Sequence, residues 1–101
     1  MTNVNSTQNS GVTIRKISKP NCVPCQVIGY ALTNNAEEIA ELGATIVEHD
    51  ITVEPDIIDK YNVQGVPVLL FERNGHVMAR IDGMTSIDEI MDAIEHAKRA
   101  K

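Results

Sequence analysis

The 101-residue sequence predicts a single α/β domain in the order βαβαββα, with a four-stranded mixed sheet flanked by three helices. Three observations lead to this fold class. Runs of β-branched residues alternate with segments of helical periodicity along the chain. The Asn74-Gly75 pair indicates a tight hairpin between the last two strands. The length is sufficient for one hydrophobic core, but not for two domains of ordinary size.

The first half of the chain predicts a strand, a helix and a second strand. Residues 1–11 are rich in Asn, Ser, Thr and Gln, which indicates a flexible tail before a domain over residues 12–101. The first strand is expected over 12–18, the first helix over about 22–43 and the second strand over 44–51. A kink or restart of the helix is expected near Asn35, which stands at capping-box spacing from Glu38. Gly43 ends the helix.

The second half predicts a short helix, two strands joined by a hairpin, and a last helix. Pro55 opens the short helix. The third strand, over 66–72, is almost entirely apolar, as a strand covered on both faces should be. The fourth strand returns over 77–81, and Ser86 with Glu89 forms a capping box for the last helix. Because a helix joins the first two strands, they must be parallel, whereas the hairpin pair is antiparallel.

Charge and hydropathy narrow the classes of function. The formal net charge of -5 argues against nucleic acid or an anionic membrane as the main partner, because both are polyanions. The longest apolar stretch, over 66–71, is too short to span a bilayer, and the N-terminus lacks the pattern of a secretion signal. We therefore expect a cytoplasmic protein with no nucleic-acid or membrane partner, and we expect it to be a monomer.

The only two cysteines form the motif Cys22-Val23-Pro24-Cys25. A ring of four residues removes little chain entropy, so a purely structural disulfide is not expected here. The predicted topology places the motif at the carboxyl end of the first strand and the amino end of the first helix, where a thiolate is stabilised. We expect Cys22 to attack a substrate disulfide and Cys25 to resolve the mixed disulfide. The reversible Cys22–Cys25 disulfide then serves the reaction without any other cofactor.

Beyond the cysteines, the sequence resembles the thioredoxin superfamily over residues 12 to about 98. The likeness rests on the Cys-x-x-Cys motif after a strand, Gly65-Val66-Pro67 opening a later strand, the Asn74-Gly75 hairpin, and Gly83 before the last helix. The lead-in Lys19-Pro20-Asn21 instead resembles the glutaredoxin-like redoxins that reduce ribonucleotide reductase. The resemblance implies a thioredoxin fold and a protein disulfide oxidoreductase that acts as an electron carrier.

The resemblance also implies partners and a substrate groove. A thioredoxin-reductase-type flavoenzyme would supply electrons, and oxidised protein clients, with ribonucleotide reductase as a candidate, would receive them. Val66 would offer its backbone N–H and C=O to a client strand, and Pro67, after a cis peptide bond, would face the cysteines. Asn21, Gly65 and Gly83 are expected beside this groove. The segment after Gly83 lacks the features by which glutaredoxins hold glutathione, which favours the flavoenzyme as reductant.

Lys16 and Glu48 depart from the family pattern. They occupy the positions at which thioredoxins have a buried Asp and a Lys on the next strand, so the signs are exchanged. One interpretation is a reversed ion pair beneath the active site, with Glu48 helping to take the proton of Cys25. The other is two solvated strand residues, because charged residues are seldom buried unless paired. The sequence leaves both interpretations open.

Two alternatives to a redox carrier remain at this stage. Two thiolates are half of a zinc or iron–sulfur site, but His49, His76 and His96 do not have the spacing of a second ligand pair. We therefore predict no metal site and expect the histidines on the surface. The second alternative is a non-catalytic, redox-sensing interaction domain, which the sequence does not distinguish from a carrier.

Overall fold

The computed structural model describes residues 11–100. The elements in this range are β1 (Val12–Ser18), α1 (Val23–Asn34), α2 (Ala36–Glu41), β2 (Ala44–Asp50), α3 (Asp56–Lys60), β3 (Val68–Arg73), β4 (His76–Asp82) and α4 (Ile87–Arg99). Apart from Gly11, the tail expected over residues 1–11 lies outside the described residues.

The four strands form one mixed sheet in the order β2-β1-β3-β4. β1 pairs in parallel with β2. The β1–β3 and β3–β4 pairs are antiparallel. The predicted α/β fold with a four-stranded mixed sheet is therefore confirmed. The crossover between β1 and β2 contains two helices, so the described part of the chain has four helical segments rather than three.

The break between α1 and α2 falls at Asn35, inside the segment that predicted a kink or restart. The Asn35 side-chain amide donates a hydrogen bond to the Ala31 carbonyl oxygen at 2.8 Å. It makes no hydrogen bond to the start of α2. The capping box predicted for Asn35 and Glu38 is therefore wrong, because the preceding helix uses the Asn35 side chain.

Local turn signals account for the second half of the fold. Asn74 has φ 55 and Gly75 has φ 81, the two positive values that a type I′ hairpin turn requires. The Ser86 hydroxyl oxygen accepts a hydrogen bond from the Glu89 N–H at 3.2 Å, while the Glu89 carboxylate is bonded to the Thr85 hydroxyl. Only one half of the predicted capping box is thus formed.

Apolar side chains cover both faces of β1 and β3. On one face, α1, α2 and α4 close over a cluster that includes Ile14, Ile28, Leu32, Ile39, Phe71, Ile90 and Ile94. On the other face, Ile57 and Val63 pack on Ile17, Val68 and Leu70. The first five residues of β3 are buried, as its apolar sequence predicts. Because β1 is packed on both sides, the loop that follows it starts from a rigid strand.

A chain of polar contacts also lies on the α3 face of the sheet. Arg15 Nε donates to Glu72 Oε1 at 2.9 Å, and the Tyr61 hydroxyl donates to Glu72 Oε2 at 3.3 Å. Arg15 also donates to His49 Nε2 at 3.0 Å, while His49 Nδ1 lies 2.9 Å from Glu54 Oε1. The His49 side chain is only 11% exposed. His49 is thus partly buried rather than fully on the surface as predicted, because Arg15 and Glu54 engage both of its ring nitrogens.

Candidate redox site

Cys22 and Cys25 are joined by a disulfide where the chain passes from β1 into α1, with their Cα atoms 5.2 Å apart. Asn21 turns the chain into the helix with φ 59, in the left-handed region that asparagine tolerates better than most residues. Pro24 stands in the first helical turn, where a missing N–H is harmless.

Cys22 is the N-cap residue of α1, and its Sγ accepts a hydrogen bond from the Cys25 N–H at 3.2 Å. An N-cap side chain normally satisfies one of the free N–H groups at a helix start. A thiolate at the same position gains that donor and the positive end of the helix dipole. The local structure therefore favours negative charge on the Cys22 sulfur.

Both cysteines are covered by protein. Cys22 is 6% exposed and Cys25 is 3% exposed. Cys25 lies within the helix, and its N–H points to the sulfur of Cys22. A partner must therefore fit closely around Cys22 before its own sulfur comes within bonding distance.

Asn21 lies on the loop before α1, and the other four predicted groove residues lie on two neighbouring loops. The Val66–Pro67 peptide bond is cis, and Gly83 has φ 84. The Gly83 N–H donates to the Pro67 carbonyl oxygen at 2.8 Å, which joins the loop before β3 to the loop after β4. Gly65 is exposed, Val66 is partly buried and Pro67 is buried. Pro67 has no N–H to donate, and β3 begins at the next residue rather than at Val66.

A cavity of about 220 Å³ opens beside Gly65 and Val66, and its lining includes Lys19, Ile51 and Ile58. Ile51 was not among the predicted site residues. It follows β2 directly, and its N–H donates to the Ser18 carbonyl oxygen at 3.0 Å. The carboxyl ends of parallel strands meet at one edge of a sheet, so the parallel β1–β2 pairing was the signal for Ile51.

Lys16 and Glu48 fit neither of the two interpretations. Lys16 is buried with 7% of its surface exposed, so it is not a solvated strand residue. Lys16 Nζ lies 3.7 Å from Glu48 Oε1, yet the Glu48 side chain is 64% exposed. The pair is therefore not buried as a unit, because β2 is an edge strand and leaves the Glu48 carboxylate in water.

Neither a membrane-spanning helix nor a metal-binding cluster is present within residues 11–100. No helix in this range combines the length and apolarity needed to cross a bilayer. No group of three or more His, Cys, Asp or Glu side chains is arranged there to hold a metal ion.

A mixed sheet with a Cys-x-x-Cys disulfide at the amino end of the helix after its first core strand defines a thioredoxin-like protein. The sequence model of the family described as "Thioredoxin" matches residues 3–96. The chain therefore belongs to the thioredoxin family.

Relatives and solved structures agree with this assignment. The chain is 30% identical over 79 residues to the SPbeta prophage-derived thioredoxin-like protein YosR of Bacillus subtilis, covering 75% of this chain and 90% of that protein. It is 28% identical over 76 residues to a putative protein disulfide-isomerase of Schizosaccharomyces pombe, which covers 75% of this chain but only 15% of that protein's length. A mutant thioredoxin from Halobacterium salinarum matches with a TM-score of 0.78 at 22% identity, over 100% of this chain and 88% of that chain. This last likeness shows the fold.

Proposed function

We propose that this protein is a thiol–disulfide oxidoreductase that carries two electrons to disulfides of client proteins. The observation that carries the proposal is the Cys22–Cys25 disulfide at the start of α1, with Cys22 Sγ accepting the Cys25 N–H. The same hydrogen bond would stabilise the attacking thiolate of Cys22 in the reduced protein. The reversible disulfide is the only redox group that the proposal requires.

The reaction begins at Cys22 in the reduced protein. The Cys22 thiolate attacks one sulfur of the client disulfide, the client sulfur–sulfur bond breaks, and the departing client thiolate takes a proton. The deprotonated Cys25 then attacks Cys22 Sγ, which restores the intramolecular disulfide and releases the second client thiol. Two electrons have passed to the client. A flavoenzyme of the thioredoxin-reductase type returns the carrier to its dithiol form.

The surface of α1 supports a protein client rather than a small-molecule disulfide. Val23, Val27 and Tyr30 follow one another at spacings of four and three residues, and they are 68%, 44% and 67% exposed. The helix sequence VPCQVIGYALTN contains no charged residue. A mixed disulfide holds the Cα atoms of Cys22 and of the client cysteine only about 4–7 Å apart. A client bound to Cys22 must therefore also cover the neighbouring Val23.

The cavity beside Val66 supplies the second part of the proposed client site. Ile51, Ile58 and Val63 make most of its lining apolar, and Lys19 is its one charged lining residue. An extended client segment would form main-chain hydrogen bonds with Val66 while an apolar side chain enters the cavity. Gly65, which is exposed, leaves the approach to Val66 open.

A coupled insulin-reduction assay tests the proposal. Thioredoxin reductase with NADPH should support reduction of insulin, whereas glutathione with glutathione reductase and NADPH should support it poorly. Replacing either cysteine with serine should abolish turnover. If the wild-type protein reduces insulin with neither reductant, the redox-sensing alternative is favoured.

The two cysteines should also differ in trapping experiments. Cys25→Ser removes the resolving thiol, so mixed disulfides with client proteins should accumulate through Cys22. Cys22→Ser removes the attacking thiol and should trap few clients, because Cys25 is 3% exposed and lies inside α1. Non-reducing gels followed by mass spectrometry measure both. Equal trapping by the two variants would contradict the assigned roles.

The proposal further assigns the protein to the cytoplasm as a monomer, with ribonucleotide reductase as one client. Light scattering tests the oligomeric state, and reduction of oxidised ribonucleotide reductase by the dithiol form tests the client. The zinc or iron–sulfur alternative needs ligands in addition to the two thiolates. Metal analysis of the protein purified under reducing conditions tests that alternative, and stoichiometric zinc or iron would support it.

A further inference from the structure

Lys16 carries a charge in the interior that its surroundings only partly neutralise. Lys16 and Glu72 are the two charged residues that are buried within residues 11–100. Glu72 is bonded to Arg15 and Tyr61. The carboxylate nearest to Lys16 Nζ is that of Glu48 at 3.7 Å, and it belongs to a side chain that is 64% exposed. Water screens that carboxylate, so its neutralising effect on Lys16 is weak.

The ammonium group of Lys16 lies against α1 at Gly29. A Cβ added to Gly29 would stand 3.0 Å from Lys16 Nζ, closer than such contacts normally allow. Cys25 lies four residues before Gly29, on the same face of α1. Four residues rise about 6 Å along the helix axis, so Cys25 is about one turn from the glycine beside the ammonium.

We propose that Lys16 is a positioning residue for the redox pair: its ammonium stabilises the thiolate of Cys25, and Gly29 provides the space it occupies. The proposal rests on the thiol–disulfide activity proposed above. A cation favours the redox form that contains a thiolate, and only the reduced protein contains one. Lys16 should therefore assist the attack of Cys25 on the mixed disulfide and should shift the redox equilibrium toward the dithiol.

The expected size follows from the separation of the charges. Two unit charges about 5–10 Å apart, the range that one to two helical turns allow, shift an ionisation equilibrium by roughly tenfold or more in a medium of effective dielectric constant about 20. The partial screening by Glu48 places the expectation at about tenfold. The effect requires an ionised thiol, so it should be full in alkaline solution and absent where both cysteines are protonated.

The equilibrium with dithiothreitol tests the proposal on the protein alone. In this reaction the protein disulfide takes two electrons from the dithiol, which closes to its cyclic disulfide. Lys16→Met keeps the length of the side chain and removes its charge. The constant for reduction should fall about tenfold at pH 9 and should be unchanged at pH 5. A loss of the same size at both pH values, or no loss at either, would overturn the proposal.

Two further variants keep the test decisive if Lys16→Met folds poorly. Glu48→Gln removes the screening carboxylate, so the constant for reduction at pH 9 should rise rather than fall. Gly29→Ala should displace the ammonium and lower the constant at pH 9, although alanine favours the helix itself. A fall in Glu48→Gln, or no change in Gly29→Ala, would contradict the assigned roles. The dithiothreitol equilibrium needs no client. Failure of the wild-type protein to reduce insulin would therefore refute the proposed function but would leave the test of Lys16 intact.

Discussion

The Arg15–Glu72 pair should contribute strongly to the stability of the sheet, and Arg15→Met measures its contribution. The side chains of Arg15 and Glu72 are 28% and 8% exposed. In the variant, Glu72 keeps only the Tyr61 hydroxyl, at 3.3 Å. Breaking a fully buried ion pair costs about 3–5 kcal/mol. Because water reaches the partly exposed position of Arg15, we expect a loss of about 2 kcal/mol in the free energy of unfolding.

Urea denaturation and thermal melting of the oxidised protein provide the assay. A loss of about 2 kcal/mol should lower the Tm by roughly 8–16 °C in a domain of this size. The matched control is Arg99→Met, which breaks an Arg–Glu pair at 3.7 Å whose side chains are 75% and 40% exposed. That control should change the free energy of unfolding by no more than about 0.5 kcal/mol. Equal losses in Arg15→Met and Arg99→Met would refute the reasoning.

Two other predictions concern the surface. Val27 on α1 and Val77 on β4 are both 44% exposed, so Val27→Glu and Val77→Glu form a matched pair. Only Val27→Glu should slow insulin reduction, by severalfold, because it places a charge on the proposed client surface. Equal rates of insulin reduction by the two variants would contradict the assignment of that surface. A hydrogen bond from Arg80 at 2.8 Å lowers the pKa of Asp82. A lowered carboxyl pKa gives stability that is present at neutral pH and lost as the pH falls through the folded value. Asp82→Asn should therefore lose up to about 0.5 kcal/mol at pH 7 and match the wild type at pH 2, as measured by urea denaturation, whereas an equal loss at both pH values would exclude this cause.

The sequence predicts the order of the elements well because the signals involved are local. Positive φ at Asn74 and Gly75 follows from the residue types alone. Asn35 shows the limit of such signals. Its side chain can bond to the helix before it or to the helix after it, and the spacing to Glu38 does not decide between them. The structure places its amide on Ala31 at the end of α1.

Features that depend on the pairing of distant strands are harder to predict. The exposure of Glu48 follows from the position of β2 at the edge of the sheet. The partial burial of His49 depends on Arg15 from the neighbouring strand. The same limit applies to the candidate site. Cys22 and Cys25 form a motif of their own, whereas Ile51 reaches the cavity only through the parallel register of β1 and β2.

Arg15 and Lys16 are consecutive cations on β1 whose side chains point to opposite faces of the sheet. The charge of Arg15 is met by the buried carboxylate of Glu72, so its removal should lower the stability of the fold. The charge of Lys16 faces α1 and is met only by an exposed carboxylate. Burial of such an ammonium costs free energy, so its removal should leave the oxidised protein at least as stable as before. The two neighbouring residues should thus affect different properties. Arg15→Met should lower the stability with little effect on the redox equilibrium, whereas Lys16→Met should shift the redox equilibrium without lowering the stability.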